Sequence, residues 1–269
     1  TARWKPTDIV SSGLWNNFTR PYFVNDTSRL KEFAAKYYQA VTDLYGKELS
    51  THYYAIDPFH EGGVPAGVPA ADAVQAMWKA LRSYDGQAVW VAQHWQGNPT
   101  TDLTHHVPTG RLLILDLHGD SNGETTLGGN ATDAKGGKHQ WVWGMTNNFG
   151  GNVGLFGRMS RVMNSFYEAA KNQSTNHLAG IGALPEGIEN NEVLYDMLYA
   201  LPWTCDHPYT LDSWLQHYVS LRYGVSKASD PVAYQALYKA WQRLANGIYN
   251  CPNDGQQGTT ESVFMMRPA

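Results

Sequence analysis

The chain has 269 residues, 42% of them hydrophobic and 16% charged, and a formal net charge of −4. That length can bury a substantial core as one large barrel or two domains, and the slight acidic balance provides no basic field for nucleic acid or an anionic membrane surface. No apolar run reaches the ~18 residues of a membrane-spanning helix. Cys205 and Cys251 are the only cysteines, which excludes a disulfide scaffold and a multi-cysteine zinc site. The N-terminal "TARWKPTDIV" has no signal-peptide pattern.

In chain order, "DIVSSGLW" (8–15) reads as the end of a strand. "RLKEFAAKYYQAVTDLYG" (30–46) places Leu30, Phe33, Ala34, Tyr37, Tyr38, Val41 and Leu44 at helical spacing and ends on a glycine suited to a helix cap. A strand follows at 52–57, a helix at 71–86 and a strand at 88–95. Further strands are expected at 111–120 and 140–151, a helix at 155–172, and a strand with its loop at 178–187. Almost wholly apolar strands separated by helices predict a parallel sheet buried on both faces. Each strand runs out into polar or glycine-rich residues: "DPFHEGG", "QHWQG", "DLHGD", "TNNFGG", "LPEG". That layout predicts an α/β fold of the (β/α)8-barrel type over residues 1–203, with function gathered at the C-terminal ends of the strands. The rival doubly wound sheet usually carries G-x-G-x-x-G or a P-loop, and neither is present. Only about six strands are expected against the eight of a closed barrel, so the first strands are expected to lie ahead of Thr1. From residue 204 to 269 the pattern is all-helical, with helices at 210–224 and 230–249 and an aperiodic tail from 252.

Asp57, Glu61, Asp116, Asp120 and Glu186 are carboxylates at strand ends. Glycoside hydrolysis uses two such groups, one to protonate the leaving oxygen and one to attack the anomeric carbon or activate water. Glu61, in a loop whose glycines let a ligand approach closely, is the first choice for the acid. Glu186, flanked by Pro185 and Gly187, is the second; a charge at the start of the next helix is the competing explanation for it. Other chemistries lack their patterns. The histidines 60, 94, 105, 106 and 118 show no H-E-x-x-H spacing for zinc, and no G-x-S-x-G elbow occurs. Neither a metal nor a cofactor is expected. Ten Trp and 16 Tyr supply flat faces suited to stacking on sugar rings, as well as ordinary core volume.

"DPFHEGG", "LLILDLHGDS", "WVWGMTNNFGGNVGLFG" and "GIGALPEGIENNEVLYDMLYALPW" occur together in that order. The set resembles the α-N-acetylglucosaminidases of glycoside hydrolase family 89, over nearly the whole chain. The resemblance implies a retaining, exo-acting hydrolase for terminal α-linked N-acetylglucosamine, with Glu61 as general acid/base and Glu186 as nucleophile. It implies a glycan partner and a secreted or periplasmic location, or a lysosomal one in an animal. It also implies a chain that begins inside the barrel and stops inside a helical C-terminal domain. Trp95, Trp143 and Tyr195 match positions that wall a sugar pocket or fill the barrel interior. Asn148 and Asp116 match positions that bond sugar hydroxyls or hold loops, and His60 precedes the acid. The sequence departs from the animal enzymes at His60, where they have Asn, and at Asn147, where they have His. Met265 and Met266 stand in the "ESVF-x-x-RP" stretch, where bacterial members often carry Cys. A non-hydrolysing sugar-binding barrel and a barrel glycosidase of other specificity are the alternatives.

Overall fold

The computed structural model describes residues 9–24, 26–46, 51–96, 98–120, 130–147, 157–186 and 191–250, excepting the His60 side chain. Asn148, Cys251, Met265, Met266 and the tail from 252 therefore lie outside the described residues. The chain divides into two compact units, residues 1–116 with 127–141 and residues 117–126 with 142–269.

The first unit opens differently from the single strand expected at 8–15. Strand β1 (Ile9–Val10) stops before Ser11, and a hairpin of β2 (Leu14–Trp15) and β3 (Phe18–Thr19) follows. Its two loop residues, Asn16 and Asn17, have φ of 46° and 67°. Asparagine tolerates the left-handed region, and two such residues suit the right-handed strand twist of a tight hairpin. Strand β4 (Phe23–Val24) returns antiparallel to β1.

Helix α1 (Thr27–Tyr45) starts on Asp26, whose side chain accepts from the Ser28 and Arg29 amides at 2.8 and 3.0 Å, satisfying donors that have no intrahelical partner. Then come β5 (Tyr53–Ala55), α2 (Ala70–Tyr84), β6 (Val89–His94), α3 (Thr100–His106) and β7 (Leu112–Asp116). The three strands are parallel, with Tyr54 opposite Trp90, Trp90 opposite Leu112, and His94 opposite Asp116. Each crossover passes through a helix, as parallel neighbours require. Burial alternates along β6 and β7: Trp90, Ala92, Leu112, Ile114 and Asp116 are buried, while their neighbours are half-buried. The expectation of full burial on both faces thus holds for one face of these strands.

The second unit contains most of β8 (Gln140–Met145), α4 (Met159–Lys171), the short α5 (Gln173–Asn176) and β9 (Leu178–Ala183). It continues with α6 (Glu192–Ala200), α7 (Leu211–Tyr223) and α8 (Pro231–Asn246). Strands β8 and β9 are neighbours, and the chain crosses between them through α4. Met159, Val162, Met163 and Phe166 form the buried stripe of α4 at helical period. The C-terminal helices match the sequence pattern closely. Thr210 and Ser213 form a reciprocal capping box on α7, and Asp230 with Pro231 opens α8, its carboxylate accepting from the Ala233 amide at 2.9 Å. Trp214 stacks on Tyr218 at 4.9 Å, and Trp241 meets Tyr218 edge-on at 5.1 Å.

Gly119 shows why "DLHGD" needs its glycine. Its amide donates to the Gly144 carbonyl at 2.8 Å, and a Cβ there would fall 2.3 Å from the Trp143 ring. Overpacking of this kind costs about 1–3 kcal/mol. Gly119→Ala is accordingly expected to lower the midpoint of chemical denaturation; an unchanged midpoint would show that the Trp143 ring yields freely.

Candidate active site

Several residues of "DPFHEGG" have separate physical tasks. Asp57 ties the end of β5 to that of β6: its Oδ1 accepts from the Gln93 amide at 2.9 Å and from Asn98 Nδ2 at 3.0 Å. Phe59 is buried among Val10, Phe23, Val68 and Ala73, its ring 5.4 Å from that of Phe23. With Asp57 and Phe59 fixed, the chain turns sharply. Glu61 and Gly62 both adopt positive φ, 50° and 82°. For glycine this is free, but for glutamate it costs on the order of 1–2 kcal/mol.

The surroundings hold Glu61 in that conformation. Its amide donates to the Gln96 carbonyl at 2.7 Å, and its own carbonyl accepts from Arg20 Nη2 at 2.6 Å. Arg20 is itself set by the hairpin, its amide donating to the Gly13 carbonyl at 3.0 Å and its Nε to the Leu14 carbonyl at 3.3 Å. The guanidinium occupies the space a side chain on residue 63 would take, 2.8 Å from the Cβ an alanine there would have. Two indoles then fix the carboxylate: Trp95 Nε1 donates to Oε1 at 3.1 Å, and Trp15 Nε1 donates to Oε2. Trp95 is buried, whereas Trp15 is 45% exposed. Glu61 is half-buried, its carboxylate held between the two indoles.

Glu186 lies in the loop after β9 and is exposed. The start of that loop is held by the Leu184 amide, which donates to the Met145 carbonyl at 2.9 Å. Ala183 and Pro185 line a cavity of about 410 Å³ together with Tyr195, Asp196 and Tyr199 of α6. Glu192 and Arg222, an ion pair, complete its wall.

Glu61 and Trp95 thus meet within the first unit, and Tyr195 and the Glu186 loop share a cavity in the second. Asp116 is buried at the end of β7. Trp143 is 1% exposed and packs edge-on to Phe166 at 5.9 Å, and among the described residues its indole N–H has no acceptor. His60 contributes backbone to the Glu61 turn, while its side chain, like Asn148, lies outside the described residues.

Asp120 is a buried carboxylate in the second unit. The Asn147 amide donates to its Oδ2 at 3.1 Å, and Arg158 Nη1 donates to its carbonyl at 2.9 Å. Burial dominates and raises its pKa to about 6, against the opposing pull of backbone N–H groups, Arg158 and His118.

Comparison with known proteins places this geometry. The model of the alpha-N-acetylglucosaminidase TIM-barrel domain matches residues 1–205, and that of the same family's C-terminal domain matches residues 214–269. The chain belongs to the alpha-N-acetylglucosaminidase family. Its barrel-plus-helices class is the one the strand pattern predicted. It is 31% identical over 97% of its length to human alpha-N-acetylglucosaminidase, and covers 35% of that protein. Two solved structures of a family 89 glycoside hydrolase from Clostridium perfringens superpose with a TM-score of 0.79 over 97% of this chain and 28% of theirs. One, 27% identical, carries two glutamate-to-glutamine substitutions and holds its substrate GlcNAc-alpha-1,4-galactose. The other, 28% identical, holds 2-acetamido-1,2-dideoxynojirimycin. The chain therefore spans about a third of the length of these family members.

Sequence reasoning missed Trp15, Arg20 and Arg158 as site-building residues and did not select Asp120. One signal was available: "LWNNFT" is two apolar-led pairs around Asn-Asn, a hairpin pattern. Nothing local links that hairpin to Glu61, 46 residues downstream of Trp15. The Asp120 environment carries a testable consequence. A carboxyl whose pKa is about 6 in the fold and near 3.9 unfolded withdraws stability as pH rises between those values. Asp120→Asn removes that loss, so its stability gain over wild type is expected to be about 2 kcal/mol larger at about pH 7.5 than at about pH 4.5. Denaturant titrations at both pH values check this, and a pH-independent difference would contradict it.

Proposed function

We propose that this chain carries the catalytic pair of a retaining, exo-acting alpha-N-acetylglucosaminidase that removes terminal, non-reducing α-linked N-acetylglucosamine. The observation that carries the reading is Glu61, a glutamate held at positive φ at a strand end with both carboxylate oxygens on indole N–H donors. A non-glycine residue kept in a costly conformation by this many contacts points to a functional demand on its side chain. Support also comes from the bacterial relative, whose complex with a GlcNAc-α-1,4-galactose substrate carries two glutamate-to-glutamine changes.

In the mechanism, Glu61 gives its proton to the glycosidic oxygen as the bond to C1 breaks, and a Glu186 oxygen bonds to C1 from the opposite face. The aglycone leaves as an alcohol. Glu61, now a carboxylate held by Trp15 and Trp95, takes a proton from water. The resulting oxygen nucleophile displaces Glu186 from C1, giving retained configuration. This sequence requires the two carboxyl groups to stand about 5–5.5 Å apart in the working enzyme. Trp95, Trp143 and Tyr195 are assigned to the sugar pocket, with His60, Asp116 and Asn148 as polar contacts. Residues 1–203 are assigned to the barrel and 204–269 to the helical domain, and the protein is proposed to act outside the cytoplasm.

The test uses the full-length protein and an aryl α-N-acetylglucosaminide. Glu186→Gln is expected to abolish turnover. Glu61→Gln should lower kcat/KM about 10²–10⁴-fold on a poor leaving group and far less on an activated aryl one, which needs little acid assistance, while kcat falls on both because water is no longer activated in the second step. Proton NMR should show the α-anomer released first. Initial release of the β-anomer would make the enzyme inverting, and sugar binding without release would make the protein a binder.

A further inference from the structure

The chain just past β8 has an unusual support. Asn147, two residues past the end of β8, has φ 50°, a left-handed conformation. Its amide is held by the Asp120 carboxylate at 3.1 Å, and its side-chain amide reaches the Tyr195 hydroxyl at 3.5 Å. Asp120 is anchored on its other side, its carbonyl accepting from the buried Arg158 at 2.9 Å, and Ser165 Oγ donates to the preceding Gly119 carbonyl at 2.8 Å. Tyr195 in turn lines the cavity that Pro185, next to Glu186, also lines. Burial raises the Tyr195 phenol above its ordinary value, and the nearby Asp120 charge adds to that rise.

A buried carboxyl group is costly unless its oxygens find donors, and the Asn147 amide is one of them. The Asp120 side-chain oxygen supplies a directional acceptor at the first step of a short relay ending on a cavity wall.

We propose that Asp120 is a positioning residue: its carboxylate fixes Asn147 just past the end of β8 and, through the Asn147 side chain, sets the Tyr195 hydroxyl at the wall of the cavity beside Glu186. The proposal rests on the glycosidase reading above for its substrate, a terminal N-acetylhexosamine whose hydroxyls Tyr195 meets. It assigns Asp120 no contact with the sugar.

The experiment compares wild type, D120N, D120A, Y195F and D120A/Y195F in the full-length protein with an aryl α-N-acetylglucosaminide. Loss of one well-placed hydrogen bond corresponds to roughly tenfold in binding. D120A is expected to raise KM about tenfold with kcat changed much less. D120N, whose amide oxygen still accepts from the Asn147 N–H, should stay within about threefold of wild type. In the Y195F background, D120A should add no further rise in KM, because the relay has already lost its end. A purely structural role lowers the amount of folded enzyme, reducing apparent kcat at constant KM. That result, or additive effects in the double variant, overturns the proposal. Amide hydrogen exchange at Asn147 gives a readout independent of activity: faster exchange in D120A and wild-type protection in D120N are expected, and equal protection in all three overturns the proposal. A wild type that releases no sugar would defeat the glycosidase reading, and the exchange result alone would then decide whether Asp120 anchors the strand end.

Discussion

The geometry around Glu61 depends on the hydrogen bond from Arg20 to the Glu61 carbonyl. A glutamate does not occupy the left-handed region without compensation. Here the compensation comes from two sides, a strand-end carbonyl at Gln96 and a guanidinium carried by a hairpin. The hairpin does more than supply Arg20. Its Trp15 reaches the carboxylate from one side while Trp95, just past β6, reaches it from the other. Backbone and side chain of one residue are thereby fixed by two separate pieces of the first unit.

Small residues are used in the same economical way. Gly63 leaves room for the Arg20 guanidinium, and Gly119 leaves room for the Trp143 ring. In both cases the missing side chain lets an aromatic or cationic group from elsewhere in the same unit pass close to the backbone. At these two strand ends the glycines reflect packing against those groups.

Much of the fold was legible in the sequence. Helices α1, α2, α4, α7 and α8 follow from apolar residues at period 3.6 and from caps such as Asp230-Pro231. Strands β5 to β9 follow from short apolar runs that end in glycine or polar residues. Helix α3 escaped because "TTDLTHH" is seven residues long and buries only Thr100, Leu103 and Thr104, which is no apolar stripe. The break of the 8–15 strand into β1 and β2, and the returning β3 and β4, escaped because two-residue strands carry no period at all. Glu61 and Glu186 stood out by position and by resemblance to a family. The partners that define the Glu61 environment did not, because Trp15 and Arg20 are distant in sequence and their reach is set by a turn of two asparagines. Asp120 was visible as a strand-end carboxylate, but its burial and its grip on Asn147 depend on tertiary packing that no local pattern encodes.

The backbone conformation of Glu61 also sets the terms on which the position can evolve. Among residues with a side chain, asparagine and aspartate enter the left-handed region most readily. Exchange to either relieves backbone strain while drawing the polar end back from the two indoles. β-Branched residues fit worst. At this one position natural variation is therefore offered more comfortable backbones that give up the carboxylate's two indole contacts, so backbone ease and side-chain placement pull in opposite directions. The residue that looks most ordinary in "FHEGG" is the one that mutational tolerance should reveal as the least replaceable.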